Sequence, residues 1–246
     1  MCGRVVQASP PDLLSLRILD GLEERDNRWS AANRGSNAPP RYNGAPSQDL
    51  WVIRRNPATG ERSLDLLRWG LIPGGAAEKP KPPPINAAAE LLRKRPDFAP
   101  AYAKRRCIVP IDGFFEWRAV EGSRVKQPFA VAMADRRPFG LAGLWENWRD
   151  PASGEWLRTF CIVTTRANAL VRPIHNRMPL ILAPADHARW LGEEDDPRDL
   201  LKPFPPEPMI VWPVSTRVNS VRNDDPGLLE PALEADASAP PDGNSA

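Results

Sequence analysis

The sequence of 246 residues is poor in the residue types that bind metal ions or form disulfides. It contains two histidines, His175 and His187, and three cysteines, Cys2, Cys107 and Cys161. The cysteines are odd in number, widely spaced and form no C-x-x-C pair, which argues against a disulfide framework and against a structural zinc site. We therefore expect no metal and no cofactor, and this cysteine usage fits a reducing, cytoplasmic compartment.

Long apolar runs and several well-known motifs are also missing. The chain does not open on a basic segment followed by an apolar run, so we expect no signal peptide. No stretch approaches the roughly 18 apolar residues of a membrane span. The motifs G-x-G-x-x-G, G-x-x-x-x-G-K-[ST], H-E-x-x-H and G-x-S-x-G are absent. Nucleotide-dependent, zinc-peptidase and serine-hydrolase chemistry therefore have no support in the sequence.

The charge balance does not identify a partner by itself. Lysine and arginine exceed aspartate and glutamate by only two charges, 33 against 31. Two short basic runs stand out, at 93–95 and 104–106. Each run is compatible with a solvated surface and with a patch that faces phosphate groups, and the sequence leaves both interpretations open.

Thirty prolines favour short strands joined by ordered turns over long helices. Segments 50–69 and 139–165 each place Asn-Pro or Asp-Pro, two further residues and then glycine between strand-like flanks. Proline presets the first turn residue and glycine supplies a left-handed position, so both segments are predicted to form β-hairpins. Further strands are predicted at 106–111, 128–134 and 209–215.

The remaining elements complete the predicted architecture. Helices are expected at 10–25, 86–95, 167–173 and 185–191, and an irregular loop at 74–84. The tail at 232–246 is predicted to be disordered because it is poor in large apolar residues. Without repeats or a clear linker, residues 1–231 are predicted to form one α+β domain. Its centre would be an antiparallel, partly closed β-barrel-like sheet with flanking short helices.

The first five residues, MCGRV, raise a chemical possibility. If Met1 is removed, Cys2 carries an α-amine and a thiol on adjacent carbons, with reference pKa values of about 7.7–8.0 and about 8.5. Such an aminothiol condenses with an aldehyde to an imine, and the thiol then closes a five-membered thiazolidine. On these five residues alone, an accident of the start codon is the favoured interpretation.

Three other polar residues lie among apolar or proline-rich neighbours. Asn86 lies at a plausible helix start in the stretch INAAAE, with Glu90 one turn further on, and an ordinary helix N-cap is the alternative. Glu116 lies in GFFEW, where burial would raise its pKa and suit proton transfer, unless the side chain faces solvent. His175 lies in PIHNRMP, and a lone histidine is more often structural than catalytic.

The other histidine and the other cysteines are expected to have no chemical role. His187 is predicted on the exposed side of a helix. Cys107 and Cys161 lie in strand-like apolar runs and are predicted to be inert residues of the core.

Taken in order, eight stretches resemble the SOS response-associated peptidase (SRAP) family, from Met1 to about Pro231. Together they form a specific pattern, which implies the SRAP fold. The stretches are MCGR, RYNGAPSQ, RWGLIP, INAAAE, RRCIVPIDGFFEW, FGLAGLWE, IHNRMP and STRVNSVRND.

The resemblance implies a function in DNA damage. Members of the family resemble proteins that capture abasic sites in single-stranded DNA through an N-terminal cysteine, as a stable thiazolidine. By this resemblance Cys2 is the nucleophile and Asn86 positions the sugar or the cysteine amine. Glu116 would shuttle protons for ring opening and imine formation, and His175 would assist those transfers and possible reversal.

The same resemblance implies a DNA surface and a setting. Arg4 and Arg177 would contact the DNA, Arg4 at a phosphate near the lesion. Pro40, Trp69 and Trp117 are candidate surfaces for the flanking bases, with core packing as the alternative for the tryptophans. The expected partner is single-stranded DNA that contains abasic sites, with no membrane. The expected state is a cytoplasmic bacterial monomer, associated with the nucleoid when bound to DNA.

The chain departs from the family pattern at two positions, which leaves other functions open. Gly75 stands where the family usually has tryptophan, and Ala88 where it usually has arginine. A thiol-dependent peptidase of the N-terminal nucleophile type would use the same residues. A diverged module that binds without covalent chemistry is the third possibility.

Overall fold

The computed structural model describes residues 2–11, 13–14, 39–56 and 58–233. Within these residues it contains short helices and thirteen β-strands, and no helix is long and apolar enough to cross a membrane. The α-helices whose residues are all described are α1 (Ala99–Lys104) and α2 (His187–Leu191). The strands are β1 (Val5–Gln7), β2 (Arg41–Gly44), β3 (Asp49–Arg55), β4 (Arg62–Trp69), β5 (Asn86–Ala88), β6 (Arg106–Ile111), β7 (Gly113–Arg118), β8 (Gln127–Met133), β9 (Phe139–Arg149), β10 (Trp156–Arg166), β11 (Arg177–Pro179), β12 (Ile181–Leu182) and β13 (Met209–Pro213).

Five strands close into a barrel in the order β10, β4, β3, β6 and β9, with β9 pairing back onto β10. All of these pairings are antiparallel except β4 with β10, where Trp69 lies beside Phe160. The two predicted hairpins are confirmed as β3–β4 and β9–β10. Their turns end at Gly60 and Gly154, with φ of 73° and 74°, a backbone conformation that favours glycine.

The second sheet has five strands in the order β13, β8, β7, β1 and β2. Its strands pair antiparallel, with Val5 of β1 opposite Phe114 of β7. On the other side of β7, Glu116 is opposite Phe129 of β8. The sheet therefore joins the N-terminal segment to the strand that carries the GFFEW stretch. The predicted α+β fold with an antiparallel, partly closed β-barrel-like sheet is confirmed, and the barrel closes through one parallel pairing, β4 with β10.

Alternating side chains give the barrel strands an apolar cluster on each side. Leu50 and Val52 of β3 belong to the cluster that contains Cys2 and residues of both sheets. Trp51 and Ile53 face the opposite way, into the cluster that is shared with α1 and α2. Because successive side chains of a strand point to opposite faces, one strand serves both clusters.

Several predicted elements are confirmed within a few residues. The strand at 106–111 is β6, and those at 128–134 and 209–215 are β8 and β13. The loop at 74–84 has no regular structure. Of the helix predicted at 10–25, residues 11, 13 and 14 are helical, and residues 12 and 15–25 lie outside the described part of the chain, as does most of the tail.

Two predicted helices are wrong. Residues 86–88 form β5, which pairs parallel to β10, and a short 3-10 turn over Ala89–Leu91 follows. β4 pairs with β10 only at Thr159 and Phe160, so the next stretch of β10 is open to another strand. Pairing with β10 therefore overrides the helical pattern of the alanine-rich segment. Residues 167–173 form turns, in which Asn168 Oδ1 accepts a hydrogen bond from the Val171 N–H at 3.0 Å.

The helix predicted at 185–191 is confirmed as α2, but His187 is not exposed. Its exposed fraction is 2%, because α2 packs against β6. The Trp190 carbonyl on α2 accepts a hydrogen bond from the buried Arg106 side chain of β6. Cys107 and Cys161 are fully buried on β6 and β10, as predicted.

Candidate active site

Cys2 lies in the short segment before β1, with its side chain fully buried in the apolar cluster that contains residues of both sheets. Its backbone carbonyl accepts a hydrogen bond of 2.8 Å from Asn86 Nδ2. β5 can reach Cys2 because Asn86 pairs with Ile162 of β10, and Ile162 belongs to the same apolar cluster. Burial raises the pKa of the Cys2 thiol above its ordinary value, and the charge of Glu116 raises this pKa further.

Glu116 is buried on β7, with an exposed fraction of 2%. The β1–β7 pairing brings its strand alongside the N-terminal segment, where the Phe115 N–H donates to the Arg4 carbonyl at 3.1 Å. Burial raises the pKa of Glu116 above that of an ordinary glutamate. The predicted carboxylate in an apolar setting is confirmed, and its charge raises the pKa of the Cys2 thiol.

His175 lies in the loop between β10 and β11, and the core residues of this loop, Ala167 and Val171, pack in the same cluster as Cys2. The imidazole is half-buried, and its Nδ1 lies 3.0 Å from the Arg177 backbone nitrogen. Burial lowers the pKa of His175, and the positive charge of the amino terminus lowers it further. Both effects favour the neutral imidazole over its charged form.

Asn86 also offers an unused acceptor. Its Oδ1 is buried and has no hydrogen-bond partner among the described residues. A buried amide oxygen without a partner is uncommon in folded proteins. Asn86 Nδ2 therefore donates to the Cys2 backbone, whereas Oδ1 can still accept a hydrogen bond from another donor.

Arg4 makes its hydrogen bonds within the protein. Its guanidinium donates to Asn43 Oδ1 at 2.9 Å and to the carbonyls of Val218 and Asn219 at 2.5 and 3.1 Å. These bonds tie the N-terminal segment to the 3-10 turn over Thr216–Asn219. The predicted contact of Arg4 with a DNA phosphate stays a prediction.

Asn43 is a residue that the sequence analysis missed. It is buried at 1% exposure on β2, and its Nδ2 donates to the carbonyls of Val218, Ser220 and Asn223. Together with Arg4 it ties the STRVNSVRND stretch to β2 and to the N-terminal segment. The sequence indicated this residue only as a polar side chain inside the strand-like RYNG stretch. A buried asparagine in such a strand needs hydrogen-bond partners within the protein.

The three proposed base-stacking residues differ in exposure. Pro40 is exposed. Trp117 is half-buried, donates from Nε1 to Asn219 Oδ1 at 2.8 Å and lies 5.9 Å below the Arg4 guanidinium. Trp69 is 1% exposed, stacks on Phe160 at 6.0 Å and leaves no ring face for a base. For Trp69 the alternative interpretation, packing in the core, is therefore the one that the structure supports.

Gly75 and Ala88, where the chain departs from the family pattern, lie in different surroundings. Gly75 is exposed, and a Cβ atom built there would meet nothing within 4 Å. It borders a cleft of about 670 Å³ that is also lined by Arg105 and Glu146. Ala88 is half-buried on β5. A larger side chain at Gly75 would thus have open space.

The arginines of the two basic runs are largely engaged within the protein. Arg93 and Arg95 form ion pairs with Asp196 and Asp97. In the second run, Arg105 pairs with Glu146, and Arg106 is buried and donates to backbone carbonyls. The carbonyls belong to Trp190, Tyr102, Gly192 and Glu194. Within the described residues no group of His, Cys, Asp and Glu side chains is suited to hold a metal ion.

Comparison with known protein families identifies the family to which this chain belongs. The family model described as SOS response associated peptidase (SRAP) matches residues 1–221. The chain belongs to this family. Its resemblance to the family, carried by the eight sequence stretches, is thereby confirmed.

Curated relatives and solved structures agree with the assignment. The chain is 40% identical over 196 residues to the abasic site processing protein YoqW of Bacillus subtilis, covering 78% of this chain and 86% of YoqW. It is 32% identical over 237 residues to the abasic site processing protein YedK of Escherichia coli, covering 94% and 100%. A crystal structure of a protein from Bacteroides thetaiotaomicron superposes with a TM-score of 0.77 at 26% identity, covering 94% of this chain and all of that one.

Proposed function

We propose that this SRAP protein processes abasic sites, and that it captures them in single-stranded DNA as a thiazolidine on Cys2 once Met1 is removed. The names of its relatives support abasic-site processing. The observation that carries the finer proposal is the surroundings of Cys2. Its carbonyl is held by Asn86 and its thiol lies within the electrostatic reach of the buried Glu116.

The proposed reaction balances with the loss of one water. The ring-opened deoxyribose presents an aldehyde, and the free amine of Cys2 adds to it to form a carbinolamine. Loss of hydroxide, taken up with a proton as water, gives the imine. The Sγ–H bond then breaks, sulfur bonds to the former aldehyde carbon, and the proton ends on the ring nitrogen.

Each proton transfer has a group suited to it. Glu116, with its pKa raised by burial, can give a proton to the departing hydroxyl and take one from the thiol at neutral pH. Asn86 fixes the Cys2 backbone through Nδ2, and its free Oδ1 would accept from the new amine or from a sugar hydroxyl. His175 would assist the transfers at the sugar.

The DNA strand would pass over exposed surface near the N-terminal segment. Pro40 and the half-buried Trp117 offer apolar faces for flanking bases, and stacking on an aromatic side chain is worth about 1–3 kcal/mol per base. Arg4 and Arg177 would meet phosphates beside the lesion. Because Gly75 stands where the family usually has tryptophan, this chain lacks one further aromatic side chain on which a base could stack.

The test is adduct formation with an oligonucleotide that contains one abasic site, followed on a denaturing gel. Wild type is expected to form an adduct that survives heating without a reducing agent. Cys2→Ala keeps the amine after Met1 removal but lacks the thiol. It should therefore give no stable adduct, only an imine that borohydride traps. Cys161→Ala, which removes an equally buried thiol on β10, is the matched control and should behave as wild type.

Other outcomes decide against the proposal. A stable adduct of equal yield with Cys2→Ala would move the chemistry away from the thiol. Turnover of peptides by wild type without any DNA adduct would favour the peptidase alternative. Tight DNA binding without an adduct, in protein that has lost Met1, would favour a non-covalent module.

A further inference from the structure

Glu90 forms an ion pair that the proposed chemistry does not use. Arg177 donates from Nη1 to Glu90 Oε1 at 2.8 Å and from Nη2 to Oε2 at 3.0 Å. The same Nη2 donates to the Thr164 carbonyl at 2.7 Å. A two-pronged arginine–carboxylate pair fixes orientation as well as distance. The Arg177 side chain therefore has one defined position, although Glu90 itself is exposed.

This pair joins the two segments that carry Asn86 and His175. Glu90 follows Asn86 by four residues, in the 3-10 turn after β5, and Arg177 follows His175 by two residues at the start of β11. Both strands pair with the same stretch of β10, where Thr164 is opposite Ala88 of β5 and Pro179 of β11. The ion pair thus bridges β5 and β11 across β10.

The backbone of Arg177 in turn contacts the His175 ring. The Arg177 N–H lies 3.0 Å from His175 Nδ1, and the Arg177 carbonyl lies 3.2 Å from the same atom. A backbone N–H is always a donor, so a proton on Nδ1 would set two donors against each other. The shorter contact is satisfied only when Nδ1 is the acceptor, which leaves the proton of the neutral ring on Nε2.

We propose that Glu90 is a positioning residue for His175. By holding Arg177 in place, it keeps the Arg177 N–H on His175 Nδ1 and so presents His175 to the site as a neutral ring with a proton on Nε2. In this state His175 donates a hydrogen bond through Nε2 and cannot act as a base there. The inference rests on the proposed function and deepens it, because it assigns His175 as a hydrogen-bond donor toward the abasic sugar.

The first test reads the tautomer directly, in the full-length protein without DNA. Labelling with ¹⁵N-histidine gives signals from two rings only, and His175→Gln assigns them. Wild type is expected to show a protonated Nε2 and an unprotonated Nδ1 for His175. Glu90→Gln keeps the size of the side chain but cannot accept both Arg177 bonds. Its His175 signals should therefore shift toward a mixture of tautomers, while the signals of the buried His187 stay unchanged.

The second test measures the rate of adduct formation at pH 7. Glu90→Gln is expected to be about 10- to 100-fold slower, the range that follows from small misplacement of a catalytic group. Glu90→Asp keeps a carboxylate and should stay within about threefold of wild type. Glu193→Gln is the matched control, because it removes an exposed partner of Arg55 and should change neither readout.

Three results would overturn the inference. One is a wild-type His175 that carries its proton on Nδ1. Another is Glu90→Gln with wild-type tautomer and wild-type rate. The third is a slow Glu90→Gln whose tautomer is unchanged, because Glu90 would then act on the DNA rather than on His175. Since the tautomer is read without DNA, a wild type that forms no adduct would defeat the proposed function and leave this result standing.

Discussion

Replacement of Asn86 by alanine should slow adduct formation without unfolding the protein. Asn86 Nδ2 donates to the Cys2 carbonyl at 2.8 Å, and alanine removes this bond from the proposed nucleophile. Loss of a partner to a buried polar group costs about 1–3 kcal/mol. If this cost adds to the activation free energy of adduct formation, the rate should drop by about 5- to 150-fold.

Asn86→Asp separates hydrogen bonding from side-chain volume. The carboxylate has the size of the amide but cannot donate, so an oxygen would face the Cys2 carbonyl oxygen. We expect Asn86→Asp to be at least as slow as Asn86→Ala. A side chain needed only for packing would leave the aspartate variant close to wild type.

The assay is the initial rate of adduct formation, after intact mass has shown that each variant has lost Met1. Asn147→Ala is the matched control, because the Asn147 Oδ1 on β9 has no hydrogen-bond partner among the described residues. It should react at the wild-type rate. Wild-type rates for both Asn86 variants would refute the role of Asn86 in holding Cys2.

Three other predictions follow from the same structure. Glu116→Gln should raise the melting temperature at pH 8 relative to wild type, and the gain should vanish near pH 4. The reason is that a raised folded-state pKa gives stability that is complete below the unfolded pKa of about 4.3 and is lost as pH rises through the folded-state pKa. An equal difference at both pH values in calorimetry would contradict this. Asn43→Ala should lower the melting temperature by about 4–15 °C in a thermal scan, because it leaves buried carbonyls unpaired at a cost of about 2–4 kcal/mol. A change within about 1 °C, as for an ordinary surface substitution, would argue that Asn43 does not hold the 216–223 segment in place. Gly75→Trp should tighten binding of a non-reactive single strand by about 5- to 150-fold in fluorescence anisotropy, the equivalent of one stacked base, and no gain would show that the DNA does not pass this position.

Local chemistry decided which parts of the fold were predictable. The β3–β4 and β9–β10 hairpins follow from proline and glycine a few residues apart, so both were found from the sequence. β5 was not, because what makes Asn86 part of a strand is an open stretch of β10, more than seventy residues later. A segment rich in alanine carries the helical pattern whether or not such a partner exists.

Burial of polar side chains was the other feature that the sequence did not predict reliably. Glu116 has apolar neighbours on both sides in sequence, so alternation could not tell whether it faces the core or solvent, and the β1–β7 pairing decides it. His187 occupies a helix too short for its exposed side to be read from spacing. Asn43 and Glu90 act by hydrogen bonds to segments far along the chain, which a single sequence does not display.

The most direct measurement of the central claim is intact mass spectrometry before and after incubation with a single strand that holds one abasic site. We predict a protein that lacks Met1 and gains the mass of the oligonucleotide less one water, with the modification located on Cys2 by fragmentation. Protein that has lost Met1 and gains no mass, or an adduct on another residue, would contradict the account.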